Sequence, residues 1–153
     1  MAGVPPVPSF TTSEVLTSAN VNKLATALNF ALYNRPLCKA HATTAQAIGS
    51  SAYSVVNLQS TDVDTDGGRT GAGSGVDRYV CRTQGWYTVS VTVSYAPNAT
   101  GSRYAIIAVN NAYQNGFAAT ATPATAVNAG VTLSGLVHMN VGDYLQVVGY
   151  QDS

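Results

Sequence analysis

From Leu37 to the C-terminus, apolar and polar residues alternate with a period of two, the spacing of β-strands that bury one face. In "GWYTVSVTVSY", Tyr87, Val89, Val91, Val93 and Tyr95 fall on one side, and Trp86, Thr88, Ser90, Thr92 and Ser94 on the other. That pattern predicts a half-buried antiparallel strand. "SRYAIIAVNN", "GVTLSGLVHMN" and "GDYLQVVGYQ" have similar lengths, and "PNATG", "NNAYQNG" and "NVGD" read as the turns between them. About eight strands with no helix between them predict an all-β fold, a sandwich of the jelly-roll kind.

The first 36 residues break this period. "VPPVPSF" places Pro5, Pro6, Pro8 and Phe10 in an extended arm, because proline fixes φ and removes a backbone donor. Val21, Leu24, Ala25, Leu28, Ala31 and Leu32 then recur at the spacing of one helical face. Thr17 or Ser18 caps the start through its hydroxyl, and Pro36 stops continuation past Arg35. A helix of about 14 residues is marginal alone in water, so its stripe of Val21, Leu24, Leu28 and Leu32 requires a partner, in its own domain or in another chain. The expected organisation is an anchoring arm and helix over 1–36 and a β domain over 37–153.

Composition narrows the function classes. At 153 residues the chain is one domain, able to bury roughly 70% of its unfolded surface. Charged residues make up 9% of it, seven basic against seven acidic, where about 25% is ordinary. The basic residues form no run, which argues against nucleic acid as a partner. So few charges give little repulsion between copies and favour self-association. No apolar stretch is long enough for a membrane span, and "MAGVPPVPSF" lacks the basic start and apolar run of a secretory signal, so folding in a cytoplasm is expected. Cys38 and Cys81 lack metal-ligand spacing and read as two buried free thiols. Without a secretory route the sequon at Asn98 carries no weight.

Candidate chemistry is sparse. "TDVDTDGG" places Asp62, Asp64 and Asp66 at the first three ligand positions of an EF-hand loop and Gly67 at its tight turn, but Gly73 occupies the position of the bidentate glutamate. The stretch therefore reads as a solvated inter-strand loop, with no metal or other cofactor expected. His41, His138 and several serines match no nucleophile elbow, zinc helix or phosphate-cradling loop, and no catalytic residue is assigned. The nine tyrosines suit either strand packing or an interface, and the strand positions Tyr87, Val89, Val91, Tyr144 and Val148 are expected in the core or in contacts between copies.

Two stretches together resemble a known group. "FTTSEVLTSANVNKLATAL" resembles the short N-terminal module of small virion proteins from tailed bacteriophages, especially those of actinobacteria. "DTDGG", "RYVCRTQGWYTVSVTVSYAPNATGSRYAIIAVN" and "NVGDYLQVVGYQ" resemble the complement-type and tumour-necrosis-factor-type trimeric jelly roll used by such phages. In the phage versions the loop often runs from "DTDG" into Met and His, where this chain has Gly68 and Arg69. The resemblance implies a homotrimer of the virion, assembled in the host cytoplasm. It would be a non-enzymatic decoration, minor capsid or fibre-like protein held to a major capsid or tail protein by its N-terminal segment. The alternative is a tail-associated module that binds host carbohydrate. Its loops would carry aromatic residues, whereas the lone Trp86 opens a strand and the longest loop has none.

Overall fold

The computed structural model describes Pro5, Pro6, Ser9, Thr11 and residues 17–123 and 125–153. Helix α1 spans Ser18–Leu32. Thr17 is its cap as expected, accepting the Asn20 N–H at 3.3 Å through Oγ1. Tyr33 closes the other end by donating its N–H to Asn29 O, and Pro36 follows. No helix residue is buried. Pro5 and Pro6 have no regular structure, and Pro8 and Phe10 lie outside the described residues.

Among the described residues ten strands follow in chain order. They are β1 (Cys38–His41), β2 (Ala52–Val55), β3 (Ser60–Asp64), β4 (Arg69–Thr70), β5 (Arg78–Val80), β6 (Gly85–Tyr95), β7 (Arg103–Val109), β8 (Ala112–Ala121), β9 (Ala129–Met139) and β10 (Tyr144–Gln151). One layer is a five-stranded sheet in the order β4-β5-β10-β7-β8. The other is the β6–β9 ribbon, paired antiparallel from Gly85↔Met139 to Tyr95↔Ala129. β1 and β3 form a separate pair, while β2 runs beside β10, its flanking Ser51 and Val56 N–H groups donating to Gln151 O and Val147 O. The fold is an all-β sandwich, with more and shorter strands than the period-two pattern marked.

Its core is the alternation made physical. Tyr95, Ala129, Val131 and Leu133 of the ribbon meet Ala105 and Ile107 of β7, with Val89, Val91, Phe117 and Leu145 around them. Ile107 and Val131 are each 1% exposed, and such burial contributes about 1.5–3 kcal/mol per side chain. Gly135 faces this core because nothing larger fits: a Cβ there would lie 1.8 Å from Phe117 Cε1. Between β7 and β8, Asn110 and Asn111 adopt φ of 52° and 62°, the two-residue hairpin geometry that asparagine tolerates. The turn is thus shorter than "NNAYQNG", whose residues from Ala112 onward belong to β8.

Candidate functional site

The acid-rich stretch resolves into three separate structural roles. Asp62 lies in β3, not in a loop, and pairs across to Lys39 and His41 of β1, each at 3.1 Å. Its carboxyl is held below the usual carboxylate range by the Lys39 bond and by His41. Asp64 ends the same strand and accepts the Gly68 and Arg69 N–H groups, both at 3.0 Å. Asp66 accepts the Tyr79 hydroxyl at 2.8 Å, while burial and that bond push the Tyr79 phenol well above its ordinary range. The three carboxylates face different partners, and among the described residues no group of three His, Cys, Asp or Glu side chains is placed to hold a metal ion.

What orders this region is a buried ion pair that the sequence pattern did not mark. Arg69 donates to Asp77 through Nη2 at 2.8 Å and Nε at 3.2 Å, and their side chains are 5% and 2% exposed. Asp77 also accepts the Leu58 and Gly73 N–H groups, at 2.7 and 3.2 Å. The Arg69 guanidinium in turn donates to Leu58 O, Ser60 O and Thr61 Oγ1. One pair thereby ties the glycine-rich turn to the chain before β3. The available signal was an arginine and an aspartate eight positions apart in a chain with only 9% charge.

The other reactive side chains are spread over the molecule. His138 sits on the outer face of β9, its ring edge-on to Trp86 at 5.3 Å. Both cysteines are free, but only Cys81 is buried, its thiol donating to Thr83 O at 3.1 Å. Cys38 is exposed, contrary to expectation, because β1 pairs with β3 outside the main core. It lines a cleft of about 900 Å³ between residues 36–48 and β6, where partial burial and nearby Asp64 push its thiol up to about 11. A thiol so protonated is a poor nucleophile at neutral pH.

Two surfaces remain uncovered instead. On α1, Val21, Leu24, Leu28 and Leu32 are 47–56% exposed, so the stripe required by the sequence meets no partner within the described chain. On the sandwich, the two outer faces differ. The ribbon turns Thr88, Ser90, Thr92, Thr132 and Ser134 outward, with Trp86 and Leu136 as its large apolar groups. The five-stranded sheet turns outward Tyr144, Gln146, Val148 and Tyr150 of β10, Tyr104, Ile106 and Ala108 of β7, and Tyr113, Ala118 and Thr120 of β8, with Tyr53 and Val55 of β2 beside them; Ile106, Ala108, Gln146 and Val148 are buried within the chain, while Tyr53 and Tyr113 are about half exposed. Tyr87, Val89 and Val91 of the strand positions named above point into the sandwich, whereas Tyr144 and Val148 lie on this outer face. No described helix is long and apolar enough to cross a membrane.

Comparison with known families and with curated proteins finds no match to this chain.

Proposed function

We propose that the chain is a non-enzymatic structural protein of a tailed-phage particle, a homotrimeric jelly-roll decoration, minor capsid or fibre-like protein attached by its N-terminal segment. The observation that carries the reading is α1, capped at both ends yet without a buried residue. A lone amphipathic helix of 15 residues has too little internal stability to persist in water, so its stripe serves a second protein. A major capsid or tail protein is the partner proposed. The sandwich supports a role in assembly, since it supplies a rigid body with few charges.

The test is made on the intact chain. Leu24→Asp with Leu28→Asp places charge on the stripe, and because both side chains are about half exposed the melting temperature should not change. Incorporation into particles should be abolished. Full occupancy by the variant would contradict attachment through the helix.

A second reading, a carbohydrate-binding module of the tail, has one observation in its favour. Trp86 is 68% exposed beside His138 and a row of hydroxyls, an arrangement on which a sugar ring can stack. Retained host-cell binding by Trp86→Ala would remove that reading.

A further inference from the structure

An open strand edge is a template for another strand, and proteins blunt such edges with charge, proline, bulges or shortness. β6 uses none of these. Its eleven residues carry no ionised side chain and no proline, and they pair with β9 in unbroken register. Among the described residues β6 has a strand partner on that side alone. In an antiparallel ladder alternate residues turn N–H and C=O away from the partner, so a row of backbone groups along β6 faces no strand.

The space beside it is the cleft of about 900 Å³. Every residue from Tyr87 to Tyr95 borders that cleft, those pointing out of the sandwich as well as those pointing in, and no residue of β9 does. The cleft therefore runs along the edge of β6 and not over a face. Its far wall includes residues 42–48, which belong to no strand, and Ile107, Leu145 and Val147 of the opposite sheet close the bottom. The gap leaves a mark on the packing. Val131 and Leu133 of β9 are 1% and 7% exposed, whereas Val93 and Val91, directly across from them on β6, are only half-buried.

We propose that this gap receives an extended, uncharged strand of another protein, which adds to β6 by backbone pairing and turns alternate apolar side chains onto Val89, Val91 and Val93. Size fits one strand. A strand about 4.8 Å wide and about 10 Å deep fills 900 Å³ over about 19 Å, or about six residues. A helix, about 10 Å across, would leave the edge of β6 unpaired, so α1 is not the occupant. Pro5, Pro6 and Pro8 lack the N–H that a ladder needs, which sets the arm aside. Charge narrows the partner further. At the cleft Arg69 and Asp77 are spent on each other, His41 is held by Asp62, Arg78 lies over the Tyr144 ring, and Arg103 donates to Thr100 O and Gly101 O. Each charged group there already has a partner, so a charge on the incoming strand would be buried without one. Strand addition requires neither α1 nor a particle, and so stands or falls apart from the functional reading.

The experiment is fluorescence anisotropy of the labelled peptide Lys-Thr-Val-Thr-Val-Thr-Val-Thr-Lys titrated with the full chain. Half-saturation is expected at or below about 100 μM. N-methylation of every valine and threonine keeps the side chains but removes the ladder donors, and should weaken binding at least about 10-fold. Val91→Asp should weaken it by a similar factor, whereas Leu136→Asp, exposed on the outer face of the ribbon, should leave it unchanged. Where Val91→Asp fails to fold, hydrogen exchange of the wild type decides: saturating peptide should slow amides of β6 and of residues 42–48 by at least about 10-fold. Equal binding of the methylated peptide, no binding up to about 1 mM, or protection confined to other strands would overturn strand addition at β6. Slow exchange along the whole of β6 in the chain alone would overturn it too, since the edge would then be covered already by the chain's own arm or by another copy.

Discussion

Removing the carboxylate of Asp77 should cost more stability than any other single change in the acid-rich region. In Asp77→Ala the Arg69 guanidinium stays 5% exposed without its counter-ion, and the Leu58 and Gly73 N–H groups lose their acceptor. Stranding one member of a buried pair costs about 3–5 kcal/mol. For 153 residues an unfolding entropy of about 2.1 cal/mol/K per residue turns that into a fall in melting temperature of about 10 to 15 °C. The assay is a thermal melt of wild type and variant at pH 7 in about 0.1 M and about 1 M salt, because a buried pair is screened far less than an exposed one. A fall under about 3 °C, or a difference that disappears at high salt, would refute the claim that this pair orders the turn.

Three further outcomes follow from the same geometry. Gly135→Val should lower stability by about 1–3 kcal/mol through overpacking against Phe117, read as a shift in denaturation midpoint, and an unchanged midpoint would show that the ring moves aside freely. Melts with and without a calcium chelator should coincide, since Asp62, Asp64 and Asp66 are spent on three separate partners, and a rise of several degrees with calcium would show that they converge. Stability should fall with alkali: Cys38 is raised from 9.0 to about 11, Tyr87 is pushed up from 10.0 to about 12, and burial raises Tyr79 and Tyr95 as well. Each folded-state value lies above the unfolded one, so the contribution is complete below pH 9 and is lost as pH rises through the folded values. Melts from pH 8 to 12 check this, and a flat profile would contradict it.

The elements most legible in the sequence were those whose pattern is local. Thr17 and Pro36 bounded α1, and the strict alternation in "GWYTVSVTVSY" marked β6 with its inner and outer faces. The short strands escaped because their pairing is set at long range: β1 pairs with β3 from Cys38↔Asp64 to His41↔Ser60, and neither run shows a period of its own. The acid-rich stretch lacks the closing glutamate of a calcium loop, and it read as loop where Asp62 and Asp64 are strand residues. Arg69 and Asp77 offered no signal beyond their spacing in a charge-poor chain, since an ion pair is visible only once both ends are buried together. Tyr53, Tyr104, Tyr113 and Tyr150 were visible only as abundance, because strand pairing, not sequence spacing, places them on one face.

Imaging particles assembled with and without the intact chain tests the central claim most directly. A virion structural protein held by its N-terminal segment predicts discrete threefold density on the particle that is absent when the chain is omitted, with α1 seated against a neighbouring virion protein. Particles of identical density in the two preparations, with the chain left in the unassembled fraction, would contradict the account.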